Sequence, residues 1–316
     1  MTFNLHDQSH DQNHELRLQL EPNHDILALD AHVQYIDASG NAHTTESIER
    51  ASHKVFRGGV WWVGSGGWED VGWARVFIVR DGEEPLFEGS FSFFAKHYRV
   101  EVLDTIGDGI SSSRMAAYRA DMQHEGYNQS SADTFRTTGF TQHTAHIGTA
   151  SKRQYNLDTD ELIQNIGSTS GCPTTRGQAL VGIATDCAYT ASFDSTGDLR
   201  RNVISIVNTA SEVFERSFNI SLSLHNLTIT DSTCPDSDSA SVPWNVDCSE
   251  GDLNWRLQRF SSWRGSLGDR VNAYWTLLTG CPSRGQVGVS WIGALCNSES
   301  SVNVVAKSAS EWQTFA

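Results

Sequence analysis

Ala179-Leu180-Val181-Gly182-Ile183-Ala184 is a short apolar run, and the hydrophobic period changes immediately after it. The six residues read as a buried strand. Val203, Ile206, Val207, Ala210, Val213 and Phe214 then fall on one face of a helix, with Thr196 or Asp198 placed to cap its start. Ile220, Leu222 and Leu224 alternate with serines and His225, which predicts a second strand. Leu253, Leu257 and Phe260 predict a second helix capped by Ser249, and residues 273–278, 287–292 and 302–306 predict three more strands. Ser310-Glu-Trp-Gln-Thr-Phe-Ala316 reads as the opening turns of a further helix with a serine cap. Strands alternating with helices over 154–316 predict an α/β sandwich, with helices packed on a mixed, twisted sheet.

Upstream the pattern is different. Leu16, Leu18 and Leu20 alternate with Arg17, Gln19 and Glu21, as in a half-buried strand. Residues 31–36 read as another strand, closed by Asp37-Ala-Ser-Gly40. Residues 73–79 follow, closed by Arg80-Asp81-Gly82, and then residues 86–91. With no helical period in sight, residues 1–104 form a β-rich domain. From 105 to 153 the chain turns to Ser, Thr, Gly, Gln and His, and reads as a polar linker. The linker ends on Lys152-Arg153, a dibasic pair of the kind a kexin- or furin-like processing protease cuts. The fold class is therefore α+β with two domains.

The 316 residues carry a formal net charge of −15. That excludes a nucleic-acid footprint and an anionic membrane surface. No segment reaches the ~20 apolar residues of a membrane span. The opening MTFNLHDQSH lacks the apolar core of a leader peptide, so a leader upstream of this sequence is expected. The six cysteines, Cys172, Cys187, Cys234, Cys248, Cys281 and Cys296, all follow residue 171 and include no C-x-x-C pair. A zinc knuckle or thioredoxin-type site is therefore not expected. The preferred pairing is three local loops, Cys172–Cys187, Cys234–Cys248 and Cys281–Cys296, each stabilising by about 3 kcal/mol. Sequons begin at Asn128, Asn219 and Asn226. Cysteines and sequons together place the protein in the secretory pathway, outside the cell or on its surface.

Of 12 histidines only His225 follows residue 150, and as an alternating strand residue it is expected to face solvent. No H-E-x-x-H, G-x-S-x-G or phosphate-loop motif occurs. Catalytic and metal-ligating residues are accordingly assigned to none of the side chains. His6, His10 and His14 read as a solvated tail, His143 and His146 as linker residues. Trp61, Trp62, Trp68 and Trp73, laced with glycines, read as packing of a small β domain, with a carbohydrate platform as the other use of such rings.

Gly288-Val-Ser-Trp-Ile-Gly-Ala-Leu-Cys296 resembles the segment that precedes the zinc helix in adamalysin-type (ADAM, reprolysin) metalloproteases. Residues 310–316 resemble the opening of that helix. Gly171-Cys-Pro, residues 179–187, 218–224, Pro243-Trp-Asn, 260–265 and 272–278 are similar to fungal ADAM-like catalytic domains. Leu20-Glu-Pro-Asn-His24, His53-Lys-Val-Phe56 and Pro85-Leu-Phe-Glu-Gly89 resemble the propeptide. The resemblance implies a propeptide over 1–104 and a metzincin-type catalytic domain over 154–316, incomplete because the zinc helix is missing. It implies that Gly288, Val289, Ser290, Trp291, Ile292 and Gly293 form the edge strand that pairs with a peptide substrate. It also implies zinc in the complete enzyme, held by three histidines, and none in this chain. Partners would be protein or peptide substrates and the processing protease, with membrane attachment only through C-terminal parts not present. Residues 1–171 contain no cysteine, so latency would be steric. With its last helix cut short, the domain is expected to leave the sheet face around Ala273–Leu278 exposed. The leading reading is a precursor fragment of a secreted or membrane-anchored zinc endopeptidase, inactive as it stands. The alternative is a non-catalytic half-domain acting as a protein-binding or inhibitory module.

Overall fold

The computed structural model describes residues 1–7, 12–82, 85–107, 110–119, 174–235, 239–282, 286–291, 293–308 and 315. Two seven-stranded sheets organise them. The first is wholly antiparallel. It is built from β1 (Thr2–Asp7), β2 (Gln12–Pro22), β5 (Val55–Gly64), β6 (Gly67–Arg80), β7 (Leu86–Phe93), β8 (Lys96–Gly107) and β9 (Ile110–Arg119), in that spatial order. It curls until Phe3 of β1 meets Phe87 and Phe91 of β7, with ring centroids 5.6 and 5.7 Å apart. The enclosed core contains Leu16, Leu18, Val60, Val76 and Phe91. Strands thus continue to Arg119, past the start of the expected linker at 105; residues 120–153 lie outside the described residues.

The second sheet takes strands from both ends of the chain. Its order is β13 (Gly288–Ser290), β14 (Val302–Ala306), β12 (Tyr274–Thr279), β10 (Gly177–Thr185), β11 (Ile220–Thr230), β3 (Leu27–Ile36) and β4 (Ala42–Ser47). The strands from β14 to β3 run parallel to one another, and β13 and β4 close the two edges antiparallel. β3 and β4, expected inside the N-terminal domain, instead extend the C-terminal sheet. Gly182 lets β10 and β12 approach: a Cβ there would lie 2.2 Å from the Trp275 ring.

The α-helices delimited among the described residues are α1 (Cys187–Thr190), α2 (Thr196–Phe218) and α3 (Leu253–Leu267). α2 covers one face of the second sheet through Leu199, Val203, Val207 and Ala210, and its outer side meets the first sheet at β6. α3 covers the other face through Leu257, Phe260 and Trp263, which pack with Trp244 and Trp275. The caps differ from those expected. Ser195, not Thr196 or Asp198, accepts the Asp198 N–H at the start of α2. Asp252, not Ser249, accepts the Trp255 N–H at the start of α3, because it directly precedes the first apolar residue, Leu253. All six residues of β12 are buried, and Phe315 packs 5.9 Å from the Tyr274 ring. The sheet face expected to be exposed around Ala273–Leu278 is therefore covered.

The disulfides differ from the three local loops. Cys187 bonds Cys234, and Cys248 bonds Cys281. Cys296 is free and exposed; Cys172 lies outside the described residues. The reason is the parallel sheet. Cys187, Cys234 and Cys281 each sit just beyond the C-terminal end of a strand, β10, β11 and β12, so they gather at one end of the sheet. Cys296 donates its amide to Ala273 at the opposite end of β12. Pairing it with Cys281 would span the whole strand, roughly 17–20 Å against the ~6 Å that a disulfide bridges. A non-reducing peptide digest is expected to show Cys187 linked to Cys234 and Cys248 linked to Cys281. A peptide joining Cys234 to Cys248 would refute this arrangement.

Candidate functional site

β13 is the outermost strand on one side of the second sheet and runs antiparallel to β14. Its inner edge is hydrogen-bonded, and no other described strand pairs with its outer edge. Such an edge presents backbone donors and acceptors that an extended peptide can take up. The strand is short, Gly288 to Ser290. Val289 packs on the core beneath it, Ser290 is exposed, and Trp291 donates its Nε1 proton to Ser261 Oγ at 2.7 Å. Gly293 has φ +67°, a left-handed turn that ends the segment, and Ile292 lies outside the described residues. Ser290, Trp291 and Gly293 are exposed, and Gly288 and Val289 are half-buried beside them.

The other candidate residues fall elsewhere. Asn128, Lys152, Arg153, His10, His143 and His146 lie outside the described residues. Asn219 caps the C-terminus of α2 in the left-handed conformation. Asn226 is half-buried, with its Nδ2 2.9 Å from His32 Nε2. His14 belongs to β2, not to a solvated tail; its ring lies 5.1 Å from Phe93 and 6.5 Å from Trp62. Trp73 is buried in the core, and Trp68 carries Arg17 at 4.0 Å above its ring.

His225 is buried rather than facing solvent. Its Nδ1 lies 3.1 Å from Asn272 Oδ1, and its Nε2 lies 3.4 Å from Asp30 Oδ2. No group of three or more His, Cys, Asp or Glu side chains able to hold a metal occurs among the described residues. The described residues therefore assemble no zinc site.

A second constellation, which the sequence did not single out, joins the two sheets through α2. Arg75 of β6 donates from Nε to Glu212 Oε2 at 2.9 Å and from Nη2 to Glu215 Oε2 at 2.9 Å, with all three side chains buried. Arg201 pairs with Glu88 at 2.5 Å, and Arg200 with Glu46 at 2.9 Å and with the Tyr35 hydroxyl. Burial pushes the Glu88 carboxyl up, and Arg201 only partly opposes it.

Residues 175–316 match the metallo-peptidase family M12B, described as reprolysin-like. Over 97% of its length the chain is 41% identical to a protein of Aspergillus fumigatus named disintegrin and metalloproteinase domain-containing protein B. The chain belongs to the reprolysin-like metallopeptidases. This reprolysin-like chain is also 36% identical, over its full length, to the protein of the same name from Arthroderma benhamiae. It is 35% identical to that from Arthroderma otae, again over its full length. It spans about half the length of these relatives, 46% of the first and 47% of the other two. No helix among its described residues is long and apolar enough to cross a membrane.

Proposed function

We propose that this chain is the propeptide and the first part of the catalytic domain of a secreted or membrane-anchored zinc endopeptidase. The observation that carries the reading is the antiparallel edge strand β13, with no other described strand on its outer side, in a chain of this peptidase family. In the complete enzyme a protein substrate lies extended along Gly288–Ser290 and adds a strand to the sheet. Zinc and its ligands belong to the half of the protein that this chain does not span. Residues 1–104 with their continuation are the propeptide, and a kexin- or furin-like protease cuts after Arg153 to begin the mature enzyme at Gln154. Inhibition by the propeptide is steric, because residues 1–171 offer no thiolate.

The test is a chain extended to the length of its relatives and secreted from a fungal host. N-terminal sequencing is expected to give Gln154. The product is expected to bind zinc and to cleave a protein substrate, and a chelator should abolish the cleavage. An extended, folded product that shows no chelator-sensitive cleavage would overturn the proposal.

A further inference from the structure

The N-terminal part of the chain meets the rest along two contacts of opposite character. The first is the seam between β3 and β11, which pair parallel from Leu27↔Leu224 to Ile36↔Thr230. Ile26, Leu27 and Val33 are buried there in one cluster with Val203 of α2 and with Leu224 and Leu227 of β11. Polar groups cross beside it: Asn23 Nδ2 donates to Asn208 Oδ1 of α2 at 2.7 Å, and Asn208 Nδ2 donates to the Phe56 carbonyl at 3.2 Å. Taking residues 23–56 away would open this cluster to water and leave β11 with an unpaired edge. Departure is thus partial unfolding of the second sheet rather than the parting of two finished surfaces. The second contact is charged. Besides the buried Arg75, it holds the partly exposed pairs Arg200–Glu46 and Arg201–Glu88. Salt screens these exposed pairs but not the apolar seam. No described disulfide joins the two parts: residues 1–171 contain no cysteine, and both disulfides lie within 187–281.

We propose that cutting the chain between residues 120 and 173 does not release residues 1–119, which stay as a tightly bound light chain completing the second sheet. The cut itself rests on the processing proposed above; the retention rests on the seam. Hydrolysis of one peptide bond in that stretch removes the covalent tether and leaves every contact just described in place. A surface helix or loop can leave once its tether is cut, because what it uncovers is already a folded surface. β3 cannot, because its side chains are part of the core that α2 and β11 share. β14, β12, β10 and β11 separate β3 from the opposite edge strand β13. Retention of β3 and occupation of β13 by a peptide are therefore compatible, and the light chain is a lasting component of the sheet.

Cutting the purified full chain with a kexin-type protease tests this. A denaturing gel should show two fragments, while size exclusion should give one peak at the 34.9 kDa of the uncut chain. At about 100 nM, at least about nine-tenths of the fragments should co-elute, which corresponds to a Kd of ~1 nM or tighter. Co-elution should persist in ~1 M NaCl, where the Debye length is only ~3 Å. Glu46→Ala removes an exposed ion pair and should leave the single peak unchanged. Val33→Asp puts a charge into the seam and should split the peak once the chain is cut. Two peaks from the cut wild-type chain, separation by salt alone, or a folded Val33→Asp chain that still co-elutes would each overturn the retention. If Val33→Asp does not fold, the cut wild-type chain still decides. If the protease leaves Lys152-Arg153 intact, the processing reading fails separately. A recognition sequence for a second protease, inserted after Arg153, then supplies the cut, and the same peaks decide.

Discussion

Replacing Arg75 by methionine is expected to destabilise the intact chain by about 3 kcal/mol, toward the low end of what breaking a buried ion pair costs. The guanidinium is buried between two carboxylates that are themselves nearly buried, at 10% and 6% side-chain exposure. Removing it leaves Glu212 and Glu215 side by side without their shared cation. Each keeps an outer arginine, Arg216 for Glu212 and Arg176 at 3.0 Å for Glu215, and Glu215 also keeps the Ser211 hydroxyl at 2.9 Å. Both arginines are about half or more exposed, at 64% and 48%, so solvent screens what they contribute. Adding Glu212→Gln and Glu215→Gln to Arg75→Met should restore part of the loss, because the three buried positions are then neutral and the remaining charges, Arg176 and Arg216, are solvent-exposed. Denaturant unfolding monitored by circular dichroism reads both arms. A loss below about 1 kcal/mol for Arg75→Met would mean that water reaches these carboxylates.

Asp186→Ala is expected to be at least as damaging, at about 3–5 kcal/mol. Asp186 caps α1 by accepting the Tyr189 N–H at 2.8 Å, and it also accepts the Gly280 N–H at 3.1 Å and the Thr279 hydroxyl at 2.5 Å. Its fourth donor is Arg256 Nη1 at 3.2 Å, and both side chains are fully buried. Burial pushes the Asp186 carboxyl up and the Arg256 guanidinium down, while each partner pulls the other back toward its charged form. Alanine would leave Arg256 buried with only the carbonyls of Trp244, Val246 and Asp247 and the Cys281 sulfur around it. It would also free three donors from β12 and α1. Asp186→Asn keeps the shape but brings an NH2 into a ring of donors, and should fall between alanine and wild type. A thermal melt of the Ala variant within about 1 kcal/mol of wild type would refute this account.

The strands that could be read from sequence were those with a clean period. The runs at 179–184 and 302–306 are apolar because both faces of a central parallel strand are covered, and they became β10 and β14. What alternation could not give was the partner. The Ala31–Ile36 run shows a strand, but nothing local says that it joins β11 rather than its sequence neighbours. The same limit explains His225. Serines and a histidine alternating with leucines look like a solvent face, yet β11 lies between β10 and β3, and Ser221, Ser223 and His225 are all buried. The disulfides failed for a related reason: spacing along the chain does not report which end of a strand a cysteine occupies. A strand over 287–292 was legible as an apolar run, of which Gly288–Ser290 is paired; its place at the sheet edge came from the family resemblance and not from the run. Arg75 was not, because its carboxylates lie on a helix well over a hundred residues away.

The placement of β3 also sets a timetable for synthesis. His32 and Asn226 touch across the seam although 194 residues separate them. At translation rates of ~5–20 residues per second, β3 must wait about 10–40 s on the ribosome before β11 exists to receive it. For that interval the β3–β4 hairpin has one edge with free backbone groups, and its apolar face lacks the β11 and α2 side chains that complete its core. Nascent chains of this protein should therefore depend on chaperones that shield exposed strands. Slowing elongation between residues 120 and 220 should lower the yield of folded protein more than slowing it after residue 230.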